Sequence, residues 1–426
     1  MLRFIQLLFV FLFVLVSMNF FDANFLNESA VNYIVFITIG IAIIFSLPHL
    51  LPKQEGFVLP VQLIVLSIFL SIIMAYWAWG QSLKDSIIET TSYLVWIFFF
   101  FLLYLKISIN AVEKIIVFYG FLYAILYFYQ LVNAPTVLFG WAISGDEFTE
   151  QRGIVRIIFP GAGIFILSIF LAINKLTTAS KGKIIWLTLA ILGLVIPVLQ
   201  VTRQFIAGVF FIYFFHLIRN LSFAKKIILS GAFLGLIFYI QNTDNQIING
   251  LLEVQQRDSQ LGKDYIRVLA GEYFLKDFSP THVNQVLGNG APSWGISNYG
   301  IFIERLAEEK EYFISDVGII GMYAMFGIFS VIGYILIWIK SITLPLPPNY
   351  YYLKYYLWYL LITSLTWYSV YHYSYLIATV FALYLYQIIY KNYKQYTHYK
   401  PTDPNKKKPG IKLLTNHQSP STSSLI

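Results

Sequence analysis

The sequence contains no cysteine. Disulfides, a thiolate nucleophile and a zinc–thiolate site are therefore excluded. Charge is also scarce: 12% of the 426 residues are Asp, Glu, Lys or Arg, against about a quarter in soluble domains. What fills the chain is apolar, 58% of it, with a mean hydropathy of +0.68. These residues arrive in solid blocks of about 17 to 25, the length that crosses a bilayer as helix. A soluble globular domain is a poor fit. So is a β-barrel, whose strands would read as short alternating segments. The first block, "RFIQLLFVFLFVLVSMNFF", has no small-x-small cleavage site after it, and further apolar blocks follow. It reads as a retained first helix and not as a signal peptide.

The expected fold is an all-α polytopic membrane protein of about twelve transmembrane helices. Apolar periodicity and breaks place them near 2–20, 31–50, 57–78, 88–105, 113–132, 154–173, 184–200, 203–218, 225–240, 313–339, 352–369 and 371–390. The seventh and eighth come from one apolar stretch too long for a single span. Proline and a polar cluster, "PVLQVTRQ", divide it. An even number of spans puts both termini on one side. With the termini in the cytoplasm, the inside segments hold most of the 29 basic residues, including Lys106, Lys114, Lys181, Lys183, Lys225, Lys226 and the lysines of the tail. They hold only Glu55, Glu113 and Asp403 among the acids. The net charge of +8 thus reads as an orientation signal in short loops. It does not read as a nucleic-acid surface.

Four regions follow: helices one to nine over 1–240, a large outside loop or cap over 241–312, helices ten to twelve over 313–390, and a basic tail over 391–426. A structureless loop as long as 241–312 is unusual in a compact protein, so a small folded cap is expected, with "GKDYIRVLAGEYFLKDF" as an amphipathic helix and "GNGAPSWG" as turn. The tail, with "PTDPNKKKPG" and a Ser-rich end, reads as disordered and topologically anchoring.

Chemistry concentrates in outside arginines at helix ends. Arg152 and Arg156, in "TEQRGIVRIIFPG", are four apart and would share one face at the start of the sixth span. Arg203 sits at the hinge between the seventh and eighth, and Arg267 and Arg305 lie in the cap. Arginines so near hydrocarbon usually line a wet cavity or meet an anion. Their planar forks suit phosphate oxygens. The plainer alternatives are snorkelling, pairing with Asp146, Glu147 or Glu150, and, for Arg305, a surface network with Glu304, Glu308 and Glu309. Glu309, Glu311 and Asp316 crowd the mouth of the tenth span, where an acid also suits a helix N-terminus. His282 in the cap and His372 in the last hairpin could carry a proton near neutral pH. Neither has partners at metal-ligand spacing, so no metal is expected. The aromatic stretches "YFYQLV", "WGISNYG" and "WYSVYHYSY" could offer sugar-stacking surfaces.

Three late features carry a resemblance. They are Arg267 in "YIRVLAGEYF", Gly288 and Gly290 in "VLGNGAPSWG", and Asp316, Gly318 and Gly321 in "YFISDVGIIGMYAMFGIF". In this order, and with "VTRQFIAG" placing Arg203 earlier, the chain resembles the polytopic O-antigen polymerase and ligase superfamily. Those are bacterial inner-membrane enzymes with a long late periplasmic loop and periplasm-facing arginines. The motif detail covers about 200–330. The ligase branch carries a histidine shortly before the closing helix; here that region reads "ERLAEEKEYF", which favours the polymerase branch.

The resemblance implies a GT-C-like glycosyltransferase that joins undecaprenyl-pyrophosphate-linked oligosaccharide repeats into O-antigen or capsular polysaccharide at the periplasmic face. Arg152, Arg156, Arg203, Arg267 and Arg305 would hold pyrophosphate. Glu309, Glu311, Asp316 and His282 are the candidates for orienting or deprotonating the acceptor hydroxyl. No cofactor is expected. Expected partners are the lipid-linked oligosaccharides, membrane lipids and a polysaccharide chain-length regulator, with no nucleic acid. An O-antigen ligase, or a flippase or other transporter of the same lipids, is the alternative.

Overall fold

A computed structural model describes residues 2–51, 54–142, 147–148, 150–151, 154–179, 181–200, 202–219, 222, 224–228, 230–231, 235, 260, 262 and 265–398. Of the expected helix at 225–240, residues 225–228, 230, 231 and 235 are described and are helical; the rest of it, most of the first part of the expected cap, Arg152 and the tail beyond 398 lie outside the described residues.

The fold is all-α. In chain order the helices are α1 (Leu2–Ser17), α2 (Glu28–Ser46), α3 (Val58–Trp79), α4 (Leu83–Thr90), α5 (Phe98–Leu105), α6 (Ile109–Asn133), α7 (Ala162–Thr178), α8 (Lys183–Leu199) and α9 (Arg203–Arg219). After the interruption come α10 (Ile266–Lys276), α11 (His282–Leu287), α12 (Asn298–Lys310), α13 (Ile319–Phe326), α14 (Ile328–Thr343), α15 (Tyr352–Thr363) and α16 (Tyr373–His398). Among the described residues, five helical stretches are long and apolar enough to cross a bilayer: Glu28–His49, Val58–Trp79, Leu83–Leu105, Ile109–Asn133 and Tyr373–Gln395. Four shorter apolar helices accompany them: Arg3–Ser17, Ala162–Thr178, Lys183–Leu199 and Ile328–Thr343.

Two helices form the centre. Every residue of α7 from Gly163 to Asn174 is buried, and so is every residue of α16 from Ser374 to Gln387. A helix apolar all round belongs inside a bundle. Around this pair pack α6, α8 and α15, while α3 lies against α14. Short polar residues start several helices by capping free backbone N–H groups: Asn27 accepts from Ala30, Ser82 from Asp85 and Ser297 from Gly300. The small helices α10 to α12 sit at one end of the bundle, beside the C-terminus of α3, and this is called the cap end. At the opposite end Lys175 pairs with Glu113 at 3.0 Å and Lys394 with Glu55 at 3.2 Å.

The structure corrects three readings of the sequence. The sixth helix begins at Ala162, not at 154. Glu150–Gln151 and Ile154–Val155 (β1 and β2) instead form a short antiparallel ladder, and Arg156 follows it outside regular secondary structure. Pro160 disfavours helix in the residue before it, and Arg156 lies before the start of α7. The stretch 313–339 is not one helix either. A 3₁₀ turn, Ile314–Val317, precedes α13, and Gly318 and Gly327, at φ 56° and 78°, break the chain on either side of it. Finally, the span expected at 88–105 starts at Leu83 and passes through 3₁₀ geometry at Thr91–Ile97. There Thr91 Oγ1 donates to the Ile87 carbonyl at 2.7 Å, the kind of back-bond that disturbs a regular helix.

Candidate functional site

The break at Gly327 frees the carbonyls of Ala324, Met325 and Phe326, which a continuous helix would have used. Backbone polar groups cannot stay unpaired in an apolar surround, and the cap supplies their partners. The N–H groups of Asn289 and Gly290 donate to Met325, at 3.0 and 2.8 Å, and the Asn289 amide donates to Ala324 at 2.8 Å. Ser67 of α3 donates to Phe326. The Trp79 indole in turn donates to Asn289 Oδ1 at 2.9 Å. A Cβ on Gly288 would collide with the backbone of Met325 and Phe326, and one on Gly290 with Ser71 and Ala75 of α3. The G-x-G turn therefore dips to Ser71, about 12 Å along the axis from the end of α3. It locks the cap onto the bundle.

This lock fixes α10 against the turn before α13. There the Arg267 guanidinium meets the Asp316 carboxylate, Nη2 to Oδ2, at 3.0 Å. Their side chains keep 23% and 33% of their exposure, so the pair is open on one side. The 314–318 turn is held from beneath: Tyr371 donates to the Ile314 carbonyl at 2.8 Å and Ile319 N–H to Ser364 at 2.6 Å. Beside the ion pair lies a cavity of about 510 Å³. Val268, Leu275, Val317, Ile320 and Leu365 form its apolar wall, with Arg267 and Asp316 on its rim.

Arg156 joins this cluster from the segment before α7. Burial lowers its guanidinium from the ordinary arginine value. Tyr368 and Asp316 lie close enough to oppose that shift, and Arg267 is close enough to add to it. Arg267 thus pairs with Asp316, and Arg156 lies within electrostatic range of both. Arginine stays charged under such conditions, and the surplus of positive charge favours an anion.

From Tyr368 a run of close-packed rings leads across the cap end. Trp367 to Tyr368 is 4.2 Å between ring centroids, Tyr368 to His372 is 4.3 Å, and His372 to Tyr373 is 4.4 Å. Trp141 flanks His372 at 5.9 Å. The Ser374 N–H donates to His372 Nδ1 at 3.3 Å, which leaves the proton of a neutral ring on Nε2. Burial among these rings pushes the imidazole down to about 3.

The remaining candidates scatter. Arg203 is the half-buried first residue of α9. Its neighbours Thr202 and Phe205 line a slot of about 30 Å³ that Trp367 and Tyr368 also line, so it approaches the same region. Arg305, Glu309 and Glu311 are exposed around the end of α12, with Glu311 in left-handed conformation as its cap. His282 is exposed at the start of α11 and bonds to Gln285 at 3.1 Å. Sequence reasoning missed Asn289 and Trp79 as the lock. An asparagine between two glycines and a tryptophan ending an apolar helix were the signals available. The chain matches no known family model, and no curated relative matches it.

Proposed function

We propose that the protein is a glycosyltransferase of the polysaccharide-polymerase type, with about twelve spans in a GT-C-like arrangement. It would sit in a bacterial inner membrane with both termini cytoplasmic and the cap end periplasmic. Its substrates are oligosaccharide repeats linked through pyrophosphate to undecaprenyl lipid. The observation that carries this reading is the Arg267–Asp316 pair with Arg156 in electrostatic range of it, an apolar cavity beside the pair and a run of close-packed aromatic rings near it. A lipid diphosphate needs fixed cations beside an apolar wall. A sugar needs ring faces.

In the reaction, an acceptor hydroxyl oxygen attacks the anomeric carbon of the donor glycan. The bond from that carbon to the diphosphate oxygen breaks, and the lipid diphosphate leaves with the electron pair. Arg156 and Arg267, with Arg203 at the edge, stabilise the developing charge, the contribution preorganised electrostatics makes most strongly. The hydroxyl proton passes to Asp316 or to the departing phosphate. Glu309, Glu311, His282, Arg152 and Arg305 are secondary candidates in the same roles.

The test is incubation of the purified protein with a defined lipid-linked repeat, followed by product sizing. Longer glycans on lipid, lost in Arg267→Ala at unchanged protein level, are expected. Transfer to lipid A alone would indicate a ligase, and movement of labelled lipid across vesicles without lengthening would indicate a flippase. Either result would overturn the polymerase reading.

A further inference from the structure

The ring run that starts at the guanidinium cluster ends at Tyr373, and Tyr373 lines a second compartment. Between the end of α1, the first turns of α2 and the stretch after α4 lies a cavity of about 340 Å³, lined by Asn19, Glu28, Asn32, Glu89, Ser92 and Tyr373. Asn19 and Glu28 are shared with an adjoining cavity of about 370 Å³, which adds Asp22 and Asn24. The two form one groove at the cap end. Its wall is organised: the Tyr373 hydroxyl donates to Asp22 Oδ2 at 2.7 Å, and the Asn19 amide donates to Asp22 Oδ1 at 2.6 Å.

The chemistry of this lining selects its ligand. Glu28 and Glu89 are acceptors that repel anions, so a second diphosphate does not belong here. An ammonium group would donate to the carboxylates and to the Ser92 hydroxyl oxygen but has no acceptor for the N–H donors of Asn19 and Asn32. A carbohydrate hydroxyl both donates and accepts, and neighbouring hydroxyls can engage both oxygens of one carboxylate or both heads of one amide. The apolar part of the wall, Val35 and Phe36 of α2, suits the C–H faces of a sugar ring.

We infer that this groove binds an uncharged, hydroxyl-rich segment of glycan, across the aromatic run from the guanidinium cluster. The inference rests on the polymerase reading for the supply of glycan, and it assigns diphosphate and saccharide to separate compartments.

Direct binding tests it. The full chain is placed in nanodiscs of phosphatidylethanolamine and phosphatidylglycerol. It is titrated with uncharged oligosaccharides released by mild acid from the lipid diphosphate fraction of the source cells, and separately with farnesyl diphosphate. The double variant Glu28→Gln/Asn32→Ala should weaken saccharide binding about ten-fold or more and change farnesyl diphosphate binding less than about two-fold. Arg267→Ala should do the reverse. Ser92→Phe, which fills the cavity from the other wall, should repeat the effect of the double variant. Undetectable saccharide binding by the wild-type chain, unchanged affinity in both groove variants, or farnesyl diphosphate affinity lost in Ser92→Phe would overturn the inference. Saccharide binding without any chain lengthening would retire the polymerase reading and keep the groove. Lengthening with saccharide affinity unmoved by the groove substitutions would retire the groove alone.

Discussion

Arg267 of the cap and Asp316 in the turn before α13 meet at 3.0 Å, and this contact ties the cap to the start of a helix of the bundle. Because both side chains keep part of their exposure, water screens the pair, and either alanine substitution should cost only about 0.5–1 kcal/mol of stability. Activity should fall far more. Loss of one preorganised cation opposite a developing charge typically costs about 100-fold or more. Thermal melts in detergent alongside product sizing of Arg267→Ala would separate the two effects; a large loss of melting temperature with proportionate loss of product would make the pair purely structural.

Arg156 offers a sharper comparison. A lysine keeps the charge but not the planar fork that pairs two phosphate oxygens. Arg156→Lys should therefore resemble Arg156→Ala in farnesyl diphosphate affinity, both weakened about ten-fold or more. Full retention of affinity by the lysine variant would reduce Arg156 to a point charge.

His372 predicts a pH dependence. Its imidazole titrates near 3 in the folded protein and near 6.5 when exposed. Between those values the unfolded chain binds a proton that the folded chain does not. The stability that neutral His372 contributes is thus complete above about pH 6.5 and declines as the pH falls towards 3, by at most about 1.4 kcal/mol per unit. Melting temperatures at several pH values from neutral downward should drop more steeply for the wild type than for His372→Phe. Parallel profiles would exclude the effect.

Asn289 is buried between Trp79, Ser279 and Ala324. Asn289→Ala leaves those groups without their partner and should destabilise the cap by about 2–4 kcal/mol. Gly288→Ala adds a collision with the α13–α14 break at a residue with φ 87°, and should be worse. Limited proteolysis within 265–312 is the measurement: the cap should become cleavable while the central helices, α7 and α16, stay protected.

The helical class and most helix positions were legible because a bilayer demands long apolar blocks, and five helical stretches of the described residues meet that demand. Legibility failed where backbone groups find partners outside their own helix. The Gly327 break looks like plain apolar sequence, since the cap residues that satisfy its carbonyls lie distant in the chain. The β1–β2 ladder before α7 is too short to show an alternating pattern. Likewise, Arg267, Asp316 and Arg156 could each be chosen from the sequence as charged residues near hydrocarbon, but nothing local says that they face one another.

The sequence by itself determined that this is a helical protein of the membrane, with its arginines and acids held near the ends of apolar helices. Only the tertiary structure decided which charges share a site, because the cap is placed by hydrogen bonds to a broken helix. It also decided that the aromatic hairpin becomes a close-packed run of rings between a guanidinium cluster and a polar groove. Hydrophobic length is a property of consecutive residues. Convergence of charge is a property of packing, and packing brings together segments that the chain keeps apart.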